Sequence, residues 1–500
     1  MDNKPPPSRF KRSAGVLLHV SSLHSPYGIG SFGKAARQWV DFLHEAGQSY
    51  WQILPLGQTG YGDSPYQCFS AFAGNPFFID LDTLREEGLL DRSDLDGVKW
   101  AGSAKRVDYD RLHQHRETVL RQAFSRFRDE GALDSFIRDN QWFARYGLFI
   151  AIKAAQGQRS WLEWDGPLRR RDPEALELAQ RELERDIRYH AFVQYQFHRQ
   201  LQALRTYAGG KGIRIIGDIP IYVSLDSADV WANPELFQLD ENAVPIEVSG
   251  CPPDYFSRDG QLWGNPLYNW DALKDDGYQW WIDRLKNCFR LHDVLRIDHF
   301  RGFESYYAIP YGDDTARYGR WKPGPGMDFI GAIQRELPEA GIIAEDLGFI
   351  TDAVRDLLAG SGYPGMKLLE FAFDSREADN HFPYLYGANT VVYTGTHDND
   401  TIKGWSQSAP QSSVRLAMEY IGIRRKGQLP YGMIRLAMQS AADLAIIPMQ
   451  DWLRLGGEAR MNTPASLGGS NWRWRMGENA LSGRLADTIA RMTSLYGRSK

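Results

Sequence analysis

Five acidic residues stand at or just past the ends of short apolar runs: Asp218 in GDIP, Asp298 in RIDHF, Glu345 and Asp346 in AEDLG, and Asp398 in THDND. An ionisable group at the end of a buried strand is costly unless it is paired or working. Two carboxyls facing each other across a neutral ligand can cleave a glycosidic bond, one protonated to release the leaving oxygen, the other ionised to attack or stabilise the anomeric carbon. Arg296 shares a strand face with Asp298 by the period of two, and a guanidinium favours the charged form of a neighbouring carboxyl. Asp298 therefore reads as the nucleophile. Glu345 reads as the acid/base, its proton retained by burial and by the negative charge of Asp298. Asp346 falls on the opposite strand face and reads as structural. His397, Asp398 and Asp218 are expected to hold sugar hydroxyls and to keep the ring distorted towards an oxocarbenium-like state. A salt-bridge network is the competing reading of any single acid; four on one rim argue for function.

These acids are far apart in sequence, so a fold must gather them. Eight apolar runs can be strands: 15–20, 50–56, 213–220, 294–300, 341–348, 366–373, 391–400 and 444–452. Several are apolar throughout, as in parallel strands buried on both faces. Stretches of helical spacing lie between them, including 34–47, 328–341 and 351–362. Eight β-α units with polar residues at strand ends predict an α/β fold, a closed (β/α)8 TIM barrel whose C-terminal rim is catalytic. An open, doubly wound sheet is the alternative. The gap between the second and third strands is far longer than a barrel loop needs, and predicts a large, mostly helical insertion, about 82–208, whose charge runs face solvent. The expected organisation is a tail over 1–13 and one catalytic domain over 14–500.

Composition narrows the partners. With 58 Lys+Arg against 63 Asp+Glu, the net charge is −5. That balance gives no electrostatic reason to expect nucleic acid or an anionic membrane. Aromatic residues make up 13% of the chain, many in Gly/Pro/Asn-rich segments, as in a cleft that stacks flat, uncharged ligands. Cys68, Cys251 and Cys288 match neither a zinc motif nor a disulfide framework, and neither an apolar leader nor an 18-residue apolar run is visible. The expectation is a cytoplasmic protein without metal. GIGSFG (28–33) matches a dinucleotide-binding pattern, but the preceding strand ends too early and no ribose-binding acid follows, so it reads as a turn. The His113/His115 pair reads as surface.

Eight segments, in order, resemble the signature stretches of the amylomaltase (disproportionating enzyme) 4-α-glucanotransferases, glycoside hydrolase family 77: GYGDSPYQCFSAFAGNPFFIDL (60–81), GDIPIYV (217–223), GQLWGNPLYNW (260–270), LRIDHFRGF (295–303), IIAEDLG (342–348), GYPGMKLLEFAF (362–373), THDNDT (396–401) and RMNTPAS (460–466). The resemblance spans about 14–475. It implies a barrel of the α-amylase clan, a retaining double displacement and no cofactor. By motif position it implies Asp298 as nucleophile, Glu345 as acid/base and Asp398 as transition-state stabiliser, supported by Asp218, Arg296, His299 and His397. It further implies that Tyr61, Ser64 and Tyr66 line the donor side, that Trp263 and Asn265 contact sugars near the cleavage point, and that a lid over about 250–262 carries Asp254, Tyr255 and Phe256 near its tip. His24, Ser31 and the run SLGGSNW (466–472) depart from the family's usual residues. The chain starts almost at its first strand, so the extra N-terminal domains of longer members are expected to be missing.

The implied partners are malto-oligosaccharides, amylose or glycogen-derived glucans, with the protein a monomer or small homo-oligomer. The catalytic residues alone leave hydrolase and transferase level, since both fates begin with the same glycosyl intermediate. A water-excluding aromatic cleft with a lid favours transfer, and the resemblance carries that choice further. A catalytically silent glucan-binding barrel is the reading from another class; the presence of all three acids speaks against it.

Overall fold

The computed structural model describes residues 10–60, 62–253, 257–374 and 382–499. Eight parallel strands close into a barrel: β1 (Ser13–Leu17), β2 (Tyr50–Gln52), β3 (Arg214–Ile219), β4 (Val294–Ile297), β5 (Ile342–Ala344), β6 (Gly365–Leu368), β7 (Thr390–Tyr393) and β8 (Leu444–Pro448). Each pairs with its neighbour in sequence, and β8 returns to β1. The eight apolar runs are these eight strands, and the open sheet is eliminated. The strands are short because each run continues past the rim: VVYTGTHDND leaves the sheet at Tyr393 and carries His397 and Asp398 in the following loop. The interior is filled by apolar residues such as Leu17, Ile216, Ile343, Val391 and Ile446, all buried, so the barrel is a packed core and the polar residues collect at one end.

Between β2 and β3 the chain is helical, with Tyr109–Arg126, Trp142–Ala155 and Glu184–Gly210 as its longest elements. Its charged faces are exposed, as the sequence indicates, but three glutamines inside the charged stretch are not: Gln194, Gln196 and Gln200 are buried. Gln194 bonds both the N–H and the C=O of Gly74, each at 2.8 Å. Gln200 does the same for Asp80, at 2.7 and 3.3 Å. An amide side chain has one donor and one acceptor end, which suits it to replace a missing backbone partner. The insertion thereby grips segment 60–81, which carries Tyr66 to the barrel mouth.

A second sheet, antiparallel, lies beside the rim with the order Gln261–Pro266, Glu247–Cys251, Ser305–Pro310, Arg320–Pro323. The sequence did not disclose it: these short segments, broken by Gly and Pro, lack the alternation of a half-buried strand. The region read as a lid over 250–262 is therefore a hairpin whose arms are paired strands. Only 252–260 connects them, and Asp254, Tyr255 and Phe256 lie outside the described residues, as does Tyr61.

The GIGSFG segment is a turn. A Cβ on Gly30 would sit 1.8 Å from the Val20 carbonyl oxygen, and one on Gly33 would sit 2.1 Å from the Asp80 carboxyl. Asp80, which also accepts from Ser31 Oγ at 2.7 Å, fills the space beside the start of helix Lys34–Glu45 that a pyrophosphate would need. No helix among the described residues is long and apolar enough to cross a membrane. Gly30→Ala is expected to lower stability by about 3 kcal/mol, because the clash is with backbone and cannot relax by a rotamer change; chemical denaturation against the parent protein measures it.

Candidate active site

Strand register builds the site. Asp218 on β3 lies directly opposite Arg296 on β4, so both side chains point into the barrel mouth. Arg296 Nη1 donates to both Asp218 oxygens, at 2.7 and 2.6 Å. Its Nη2 lies 2.9 Å from Asp298 Oδ1, and its Nε meets the Met366 sulfur at 3.3 Å. Burial opposes the charge of this arginine, and the two carboxylates outweigh it, holding the guanidinium protonated. Arg296 thus sits as a buried cation between two acids.

Ile297 pairs with Ala344 across β4 and β5, so Asp298 and Glu345, each one residue further on, stand side by side on adjacent strand ends. Their backbones are locked: Glu345 N–H donates to Ile297 O at 3.1 Å, and Phe300 N–H to Glu345 O at 3.1 Å. Burial raises the Glu345 pKa to about 7, with Arg296 and the His299 N–H opposing and Asp346 and Asp398 adding to it. Burial also raises Asp298, against the pull of Arg296. The two carboxyls titrate as a pair. Asp298 touches a guanidinium, whereas Glu345 receives only the neutral N–H of His299, so the proton of the pair belongs on Glu345.

His299 has left-handed backbone at φ 52°, ψ 45°, uncommon for a residue with a side chain. That bend aims its N–H at Glu345 and lays its ring edge-on to Trp263, with centroids 4.8 Å apart. Burial lowers its pKa to about 3, so the ring is neutral, and its Nε2 is buried without a hydrogen-bond partner. A ligand hydroxyl would satisfy it.

On the other side of the mouth Tyr66 donates to Asp218 Oδ2 at 2.8 Å and stacks on His397 at 5.2 Å and 13°. Burial lowers His397, so it too is neutral. Asp398 receives Asn462 Nδ2 at 2.6 Å, and His397 Nε2 stands 3.4 Å from it. With 40% of its side chain exposed, Asp398 is open to the cleft. Asp346 is turned away, accepting from Met366 N–H at 2.6 Å, as its strand face indicates.

The geometry thus brings together Asp218, Arg296, Asp298, His299, Glu345, His397, Asp398, Tyr66 and Trp263. Two expected contacts have their polar groups engaged within the chain. Asn265 is buried, its amide used by Val223 O at 2.8 Å and by Gln67 at 3.1 and 3.3 Å. Ser64 closes the local turn, its Oγ accepting from Tyr66 N–H at 3.3 Å. Other residues of the mouth carry no signal of their own in the sequence. His19, at the end of the first apolar run, packs near His397; burial lowers it to about 3, and Leu54 N–H donates to its Nδ1 at 3.2 Å, so its proton is on Nε2. Arg460 and Asn462 hold the Asp398 loop, and Trp472 packs against both Tyr66 and His397. GVLLHV and RMNTPAS contain the first three, but nothing in their spacing shows what they face. Among the described residues no group of three His, Cys, Asp or Glu side chains is arranged to hold a metal ion.

Comparison with known proteins places this site in context. A family profile described as 4-alpha-glucanotransferase matches residues 18–480. A 4-alpha-glucanotransferase of Streptococcus pneumoniae serotype 4 is 48% identical over 494 residues, covering 98% of each chain. One from Clostridium butyricum is 45% identical over 486 residues, covering 96% of this chain and all of its own. An amylomaltase from Streptococcus agalactiae, solved in complex with acarbose, superposes with a TM-score of 0.95 at 40% identity, covering 98% of this chain and 100% of its own.

Replacing Arg296 by Met would strand Asp218, whose side chain is fully buried. Thermal and denaturant unfolding should show a loss of about 3–5 kcal/mol, most of it recovered in the Arg296→Met/Asp218→Asn double variant, where the orphaned charge is gone.

Proposed function

The chain belongs to glycoside hydrolase family 77, the 4-alpha-glucanotransferases, and we propose that it moves α-1,4-glucan segments between maltodextrins by a retaining double displacement. The observation that carries the reading is the asymmetric carboxyl pair, with Asp298 against the Arg296 guanidinium and Glu345 beside it without a cationic contact.

In the first step Asp298 attacks the anomeric carbon while Glu345 gives its proton to the departing glycosidic oxygen, leaving the donor segment bound covalently to Asp298. In the second step the Glu345 carboxylate takes the proton of an acceptor 4-hydroxyl, which displaces Asp298 and restores the α-configuration. Retaining enzymes hold their two carboxyls roughly 5–5.5 Å apart, and the placement of this pair on neighbouring strand ends supports that reading. Asp398 and the neutral His397 are suited to grip hydroxyls of the reacting ring, and the open Asp398 carboxylate to stabilise positive charge at that ring in the transition state. Aromatic rings at Tyr66 and Trp263 favour a sugar over water in the second step.

The acid form of Glu345 persists to about pH 7, well above the ordinary glutamate value, so kcat/KM should fall as pH rises through about 7. Glu345→Gln should remove that alkaline limb together with nearly all turnover of ordinary maltodextrins. The direct test is maltotriose as sole substrate. Glucose plus a ladder of longer maltodextrins at a constant count of reducing ends is expected. A rising count with only shorter products would make the protein a hydrolase, and no change would leave a silent glucan-binding barrel.

A further inference from the structure

Near Trp263 and His299 in the chain's course stand two aromatic residues with open ring surface, one largely exposed and one partly covered. Phe349 follows Glu345 by four residues and is 67% exposed. Trp321, on the outermost strand of the antiparallel sheet, is 36% exposed. Both are held by Arg301, which follows Asp298 by three residues and whose side chain is only 3% exposed. The Arg301 guanidinium carbon lies 3.8 Å from the Trp321 ring centroid, and its Nη1 donates to the Phe349 carbonyl. Its Nη2 donates to Ser305 Oγ at 2.9 Å, and Tyr307 meets the indole edge-on at 5.2 Å.

Besides Ser305 and a 4.0 Å approach to Glu304, this buried guanidinium is spent on a loop carbonyl and an indole face, a costly way to fix one exposed ring and one partly covered ring. Exposed aromatic rings on pinned backbone recover that cost when a flat apolar surface covers them, and the face of a pyranose is such a surface. The direction follows from the acid. Glu345 protonates the departing oxygen, so the space on its side takes the leaving group first and the acceptor afterwards. Phe349 lies on the loop that continues from Glu345, and Arg301 on the turn that continues from His299, whose ring carries Trp263.

We propose that Trp321 and Phe349, pinned by Arg301, form a distal acceptor subsite that takes a glucose unit of the acceptor chain beyond those nearest the cleavage point, so that they set the preference for longer acceptors. The inference rests on the proposed transfer reaction.

The experiment uses as donor an α-maltosyl fluoride blocked at its non-reducing 4-hydroxyl, whose leaving group is a single atom and which cannot itself accept, so that only the added acceptor can span the distal subsite. Glucose, maltose, maltotriose and maltotetraose are compared as acceptors. In Phe349→Ala and Trp321→Ala the ratio of the maltotetraose KM to the glucose KM is expected to rise about fivefold to tenfold, the worth of one aromatic contact, while Phe349→Tyr keeps the parent ratio. An unchanged ratio in both alanine variants, or an equal rise of KM for every acceptor, would overturn the subsite. Because Trp321 supports Arg301 and its loss could loosen the sheet, the deciding variant is Phe349→Ala, where only an exposed ring is removed. If the parent protein releases fluoride but transfers to none of the four acceptors, the transfer reaction itself fails and the subsite with it; transfer with an unchanged ratio overturns the subsite alone.

Discussion

The site is organised around one buried cation. Arg296 spends its guanidinium on Asp218, Asp298 and the Met366 sulfur, so strands β3, β4 and β6 converge on a single group. A charge so placed is tolerable only when its partners are complete. The register that sets Asp218 opposite Arg296 is therefore a condition of the site's geometry and, under the proposed mechanism, of catalysis. Through Asp218 the constraint reaches Tyr66, and from Tyr66 segment 60–81 leads back to Gln194 and Gln200 in the helical insertion. The long insertion thereby shapes the barrel mouth as well as covering its flank.

The same cation divides the labour of two otherwise similar carboxyls. Glu345 and Asp298 end adjacent strands and share a partly dehydrated cleft; the guanidinium contact on one of them decides where their proton rests. The histidines around them are neutral for the same reason, burial, at His19, His299 and His397. Under the proposed mechanism they can orient hydroxyls without adding positive charge beside an oxocarbenium-like centre.

Much of this was legible in the sequence. The eight barrel strands show as apolar runs because they are buried on both faces, and the acids show because charged residues directly after such runs are rare without a purpose. Arg296 and Asp298 were assigned to one face by spacing alone, and the structure has them in contact. Other features rest on tertiary contact that no local pattern encodes. Asn265 lies in a segment rich in plausible sugar ligands, yet its amide is consumed by Gln67 and Val223. Gln194 and Gln200 read as solvent-facing in a charged helix but are buried by the loop they hold. His19 ends the first run as an ordinary polar residue until barrel closure brings β1 to β8 and sets it beside His397. The antiparallel sheet was hidden because its strands are short and interrupted by glycine and proline.

The central claim is that Asp298 forms a covalent bond to the sugar while Glu345 only moves protons. Mass spectrometry of the intact Glu345→Gln variant after exposure to α-maltosyl fluoride tests it most directly, since fluoride departs with little acid help while the absent base slows release of the intermediate. A stable adduct of one maltosyl unit, mapped after proteolysis to the peptide containing Asp298 and absent in the Glu345→Gln/Asp298→Asn double variant, is the expected result. No adduct under conditions where fluoride is released, or an adduct on another residue, would contradict the assignment.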